Sequence, residues 1–170
     1  DAFSITKAVK DKMEFSFSDT DGKSVSNLDP EYSNKVKIIQ IMGTWCPNCM
    51  DETVFLQDYI SNHKNDDIAV FTIGFERYKD SLKSVESLRR FKDRMQIQHP
   101  VLYGGYYDKQ TASSRLPQLS GITSYPTLVV TDKSNKIIGI HTGFNGPATK
   151  DYNTFIHEFD KLIGRARNNP

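Results

Sequence analysis

Two apolar runs separated by one amphipathic stretch constrain this chain most. "KVKIIQIMG" is rich in β-branched residues, ends at Gly43 and reads as a buried strand. "DIAVFTIGF" reads as a second buried strand. Between them a helix is expected from Pro47, since proline is well tolerated in a first helical turn. Its apolar stripe is Val54, Phe55, Tyr59 and Ile60. Strand, helix and strand make a βαβ unit.

The flanking segments extend this unit. "MEFSFS" alternates, with Phe15 and Phe17 on one face, and turns through "DTDGK" into "SVS" as a β-hairpin. "DSLKSVESLRRFKDRM" reads as a helix with Leu82, Val85, Leu88 and Met95 inward. "HPVLY" is a short strand, and "GGYYDKQTASSRLPQLSGI" a loop with a short helix; "YGGYYD", Tyr103 to Asp108, could line a groove with aromatics but is better explained as a Gly-Gly turn with tyrosines packing locally. "TLVVTDKSNKIIGIHTG" reads as a hairpin around "DKSN". A last helix carries Tyr152, Phe155, Ile156, Phe159, Leu162 and Ile163 on one face, and the tail "RARNNP" is expected to fray. This order predicts an α/β fold with a mixed central sheet and helices on both faces. No repeat, low-complexity tract or long linker divides the 170 residues, so one domain is expected.

Composition narrows the function classes. Lys and Arg total 22 against 21 Asp and Glu, a net charge of +1, so no basic face is implied and nucleic acid is not an expected partner. The longest apolar-rich run, Ile68 to Phe75, is too short to cross a bilayer. The chain begins at Asp1 without Met or a leader, and reads as a processed protein or the C-terminal part of a longer one.

The only two cysteines stand in "GTWCPNCMDE", directly behind the only tryptophan. Two cysteines make no disulfide scaffold. Four readings of Cys-x-x-Cys compete. Structural zinc needs four ligands, and His63, His99, His141 and His157 show no paired spacing. Covalent haem needs His directly after the second cysteine, where Met50 stands. Two thiols that merely pack are a poor account of this spacing at a strand-to-helix corner. A redox dithiol fits the layout. Cys46 at a helix N-terminus would be stabilised as a thiolate by free N–H groups and the dipole, and Cys49 one turn in could resolve a mixed disulfide.

Trp45-Cys46-Pro47-Asn48-Cys49 behind a buried strand, with Tyr125-Pro126 before a later strand, resembles the thioredoxin-like fold. Glu52, three residues after the second cysteine, together with the N-terminal hairpin and the helix inserted between central strands, resembles the TlpA/ResA-like branch of thiol-disulfide oxidoreductases. "IMGTWCPNCMDE" and "HTGFNGPAT" are similar to members from Bacteroidetes-type bacteria. The resemblance spans about Phe15 to Phe159. It implies a protein-disulfide reductase with no cofactor or metal, monomeric, outside the cytoplasm, with protein disulfide substrates and an upstream thiol donor protein. A membrane tether through an N-terminal segment absent from this sequence is compatible with it.

The resemblance also implies site residues. Cys46 and Cys49 are the redox pair, and Glu52 assists proton transfer to Cys49. From the residues alone, Glu52 is better explained as a first-turn acid favoured by the helix dipole. Trp45, Pro47, Tyr125, Pro126 and Gly143 would form the substrate surface, with Tyr125-Pro126 as a cis bond. Trp45 could equally be plain core, and Pro126 an ordinary strand-start proline. Two departures stand out. Gln40 occupies the place of the buried Asp of ordinary thioredoxins, and "ETVFLQ" lacks the proline that kinks the helix in many members. Two rival functions are a peroxiredoxin-like peroxidase, which needs T-x-x-C where Thr44 is one residue too close, and a non-catalytic binding or copper-chaperone domain.

Overall fold

A computed structural model describes residues 5–63 and 67–169. Strands β3 (Val36–Met42) and β4 (Ile68–Glu76) pair in parallel from Val36↔Ile68 to Met42↔Gly74, with helix α1 (Pro47–Asn62) as the crossover. β5 (Val101–Tyr106) extends the sheet in parallel beside β4. The hairpin β6 (Thr127–Thr131) and β7 (Ile137–Thr142) attaches antiparallel to β3. The N-terminal hairpin β1 (Ser16–Asp19) and β2 (Ser24–Ser26) attaches antiparallel to β5. The result is a seven-stranded mixed sheet in the order β2-β1-β5-β4-β3-β6-β7. Helices α2 (Ser81–Met95), α3 (Lys109–Arg115) and α4 (Tyr152–Asn168) complete the fold.

β3 is central, and every one of its residues is buried. Successive side chains of a strand point to opposite faces. Val36, Ile38 and Met42 meet α1, α2 and α4, while Ile39 and Ile41 meet α3 and the N-terminal Met13, Phe15 and Phe17. Helices therefore cover both faces. On the first face Phe55 of α1 packs edge-on against Phe155 and Phe159 of α4, with centroids 5.0 and 5.2 Å away. None of the described helices is long and apolar enough to cross a membrane.

Four expectations give way. Val54 and Leu82 lie outside the buried stripes, 47% and 79% exposed. Leu82 sits in the first turn of α2, where its N–H is still capped by Asp80, and the face toward the sheet is Ser84, Leu88 and Phe91. "GGYY" is no turn, since β5 runs through Tyr106. Gly104 is needed there because an added Cβ would lie 2.6 Å from the Phe75 ring. The tail does not fray at Arg165, and α4 continues to Asn168. Ala166 is buried, and Arg167 grips Asp67 through two hydrogen bonds of 3.0 and 3.2 Å.

Candidate active site

The site forms where β3 leaves the sheet and α1 begins. Gly43 allows the turn to close tightly, since a Cβ there would lie 2.2 Å from Trp45 Nε1. Cys46 is the N-cap of α1, and its Sγ accepts a hydrogen bond from the Cys49 amide at 3.3 Å. Pro47 follows at the first helical position and is exposed, its missing N–H costing nothing there. Both thiols are free, and both are buried.

Electrostatics separate the two sulfurs. The Cys49 thiol donates to Cys46, which lowers the Cys46 pKa to about 7 against the opposing effect of burial. The amides of Cys49 and Asn48 and the Arg77 guanidinium act in the same direction. Cys49 is pushed strongly upward by that same shared hydrogen bond and by its own burial. As pH rises through neutrality the outer sulfur therefore ionises first, while the inner one keeps its proton.

Aromatic rings wall the site. The Trp45 indole N–H donates to the Phe75 carbonyl at 2.9 Å. Its ring meets Tyr107 and Tyr125 edge-on at 5.4 and 5.3 Å, and Arg77 lies 4.3 Å above it. The Tyr125 hydroxyl donates to the Tyr107 carbonyl at 2.9 Å. The Tyr125-Pro126 bond is cis, and the Tyr125 carbonyl oxygen lies 3.7 Å from Cys46 Sγ. Gly143, at φ +83°, donates its N–H to the Pro126 carbonyl at 2.7 Å. Trp45, Tyr125, Pro126 and Gly143 are thus linked in one chain of contacts around Cys46.

Glu52 lies behind Cys49, fully buried, with no hydrogen bond of normal geometry to either carboxyl oxygen. Burial raises its pKa to about 8, the Gln40 side chain opposing the rise and the Cys46 charge adding to it. A second carboxyl is also buried. Glu76, at the end of β4, accepts from the Thr44 amide at 2.8 Å and from the Thr44 hydroxyl, pinning the turn ahead of Trp45. Burial raises the Glu76 pKa and the Thr44 bonds oppose this.

Sequence reasoning did not single out Glu76 or Arg77, and it ranked a groove lined by the aromatics of Tyr103 to Asp108, Tyr107 among them, below a local turn. One signal was available. All three stand at or just past the carboxyl ends of the parallel strands β4 and β5, where open α/β sheets place their sites. Among the described residues no group of three or more His, Cys, Asp or Glu could hold a metal ion.

The family model described as Redoxin matches residues 8–156. The chain belongs to the Redoxin family. Within this Redoxin chain, 140 residues align at 21% identity with the thiol-disulfide oxidoreductase ResA of Halalkalibacterium halodurans, covering 82% of this chain and 71% of the relative. A DsbF homologue from Corynebacterium diphtheriae superposes with a TM-score of 0.69 at 19% identity, covering 94% of each chain. A thiol-disulfide oxidoreductase from Bacteroides fragilis gives a TM-score of 0.64 at 15% identity, covering 90% of this chain and 99% of the other. At these identities the structural likeness establishes the thioredoxin-like fold.

Proposed function

We propose that this Redoxin domain is a thiol-disulfide oxidoreductase that reduces disulfides of protein partners through Cys46 and Cys49. The observation that carries this is the division of charge between the sulfurs: Cys46 is a helix-capped thiolate near neutral pH while Cys49 stays protonated. The thiolate, not the thiol, is the nucleophile. Cys46 Sγ attacks a substrate disulfide, forms a mixed disulfide and releases one substrate thiolate. Cys49 then gives up its proton and attacks Cys46 Sγ. The second substrate thiolate leaves, and the protein, having given two electrons, holds a Cys46–Cys49 disulfide. An upstream thiol donor protein returns it to the dithiol.

The second step is made possible by the first. The Cys46 hydrogen bond and charge are what hold the Cys49 proton most strongly, and the same charge raises Glu52. Once Cys46 is in a mixed disulfide its charge is gone. Cys49 becomes easier to ionise, and Glu52 shifts toward the carboxylate that accepts the Cys49 proton. Trp45, Pro47, Tyr125, Pro126 and Gly143 form the surface that receives the substrate strand. Thr44 gives no support to peroxidase chemistry, because its hydroxyl is committed to Glu76.

We place the domain outside the cytoplasm, acting as a monomer, on the resemblance of its two motif stretches to extracytoplasmic family members. Reduction is the working direction on the same ground. The test is the equilibrium of the purified dithiol against a glutathione buffer, followed by turnover of a protein disulfide. A dithiol more reducing than glutathione that cleaves the disulfide supports the reading. A dithiol that stays reduced in oxidised glutathione, and whose Cys46–Cys49 disulfide is reduced by protein thiols as it oxidises them, reverses the direction.

A further inference from the structure

A row of aromatic rings runs outward from the redox pair in edge contact. Trp45 meets Tyr107 at 5.4 Å, and Tyr107 meets Tyr106 at 5.0 Å. The row is tied to the sheet. The Trp45 indole gives its N–H to the Phe75 carbonyl, and the Tyr107 amide gives its own to the Glu76 carbonyl, each at 2.9 Å. Exposed cations from the segment past β4 lie over these rings. The Arg77 guanidinium carbon is 4.3 Å from the Trp45 centroid and 5.4 Å from that of Tyr107. The Lys79 ammonium is 5.6 Å from the Tyr106 centroid.

What holds these cations decides what they can do. A carboxylate partner would cancel their charge. A ring face attracts a cation through its quadrupole, leaves the full charge in place and takes up none of the guanidinium N–H donors in hydrogen bonds to carboxylate. Among the described residues neither Arg77 nor Lys79 forms an ion pair. The acids nearby in the chain are engaged elsewhere. Glu76 is buried and bonded to Thr44, Asp80 caps α2 through the amides of Leu82 and Lys83, and Asp108 keeps one carboxyl oxygen buried. On the β7 side of Cys46 the sign reverses, since Asp51 of α1 stands beside Gly146. The positive rim is thus confined to the Trp45 side.

We propose that Arg77 and Lys79 are specificity-determining residues that select protein disulfides whose attacked cysteine has Asp or Glu beside it. This rests on the thiol-disulfide reading of the site. Trp45 adjoins Cys46 in the chain, so an acid adjoining the attacked cysteine comes within reach of the guanidinium fork, which suits a carboxylate. Lys79, farther out on Tyr106, adds attraction during the approach. Charge complementarity of this kind acts mainly on the rate of encounter and weakens with salt.

The experiment uses the full chain and cyclic peptide disulfides identical except for the residues flanking their cysteines, which are Glu, Gln or Lys. Each rate is divided by that with dithiothreitol, which removes the peptides' own reactivity. The parent should cleave the Glu peptide with a kcat/KM on the order of tenfold above the Lys peptide at low salt, the low end of what electrostatic steering gives, and the ratio should shrink as salt rises. Arg77→Gln should remove most of the ratio, Lys79→Gln part of it, and Arg77→Glu should invert it. The Arg77 charge also favours the Cys46 thiolate, so Arg77→Gln should slow every peptide. A role confined to tuning that thiol would slow all of them by one factor, and an unchanged ratio in Arg77→Gln overturns the proposal. Binding separates this proposal from the reading beneath it. Serine analogues of the same peptides, titrated against the isotope-labelled chain, should move the single Trp45 indole N–H resonance, most strongly for the Glu peptide. If that preference holds while no disulfide is cleaved, the acidic docking surface stands and the oxidoreductase reading fails. If every disulfide is cleaved at the same relative rate, only the selectivity proposal fails.

Discussion

The backbone amide of Cys49 points at the sulfur of Cys46 across 3.3 Å, so the two cysteines are already joined before any disulfide forms. Their unequal chemistry follows first from the hydrogen bond that the Cys49 thiol gives the same sulfur, and this amide acts on Cys46 in the same direction. In the reduced protein Cys46 should be alkylated by iodoacetamide first, with a rate that rises around pH about 7. Cys46→Ser should abolish disulfide reduction, and Cys49→Ser should accumulate mixed disulfides visible on non-reducing gels. Faster labelling of Cys49 would reverse the roles.

Glu52→Gln should slow the resolving step and flatten its pH dependence below the pH of about 8 at which Glu52 titrates in the reduced protein. It should also change stability with a definite sign. The Glu52 pKa is raised from 4.5 to about 8 by folding, so the native state holds a proton that the unfolded chain has released in that window. The stabilising contribution is fully present below the unfolded pKa and is lost as pH rises through the folded one. The parent should therefore lose on the order of 5 kcal/mol relative to Glu52→Gln across this range. Denaturant unfolding of both proteins at several pH values measures the difference, and parallel curves would contradict it.

Glu76→Leu should leave the Thr44 amide and hydroxyl without their acceptor. The expected cost is about 1–3 kcal/mol, together with slower exchange because the turn carrying Trp45 and Cys46 loosens. Glu76→Gln keeps one acceptor oxygen and should recover most of the rate. Equal exchange rates in Glu76→Leu and the parent would show that the turn holds without this tether.

Gly143→Ala tests the outer rim. Nothing lies within 4 Å of an added Cβ, so space is not the obstacle. The φ of +83° is. A non-glycine residue there costs about 1 kcal/mol and pulls on the 2.7 Å bond to the Pro126 carbonyl. Lower stability with a reduced rate on protein disulfides is expected, and a D-alanine at this position should retain both.

The strand-helix-strand unit around the dithiol was legible because its signals are local. The β-rich run into Gly43, the Pro47 start and the cysteine spacing all lie within 36–52. What escaped depends on partners far away in the chain. Arg167 is held by Asp67, 100 positions earlier, which no tail composition reveals. Gly104 is dictated by the Phe75 ring, so a glycine pair that looks like a turn is in fact a crowded strand. Leu82 obeys the helical period but lies where α2 has yet to reach the sheet. Glu76 and Arg77 look like ordinary strand-end charges until β3 and β4 are aligned in register.

Trp45 is the only tryptophan in the chain, and its indole is fixed by the Phe75 carbonyl directly beside the cysteine that changes oxidation state. Sulfur in a disulfide quenches an adjacent excited indole far more than a thiol does. The protein thus carries its own optical gauge. Its indole emission belongs to one ring, in one place, and should follow the state of the dithiol during turnover with no label attached.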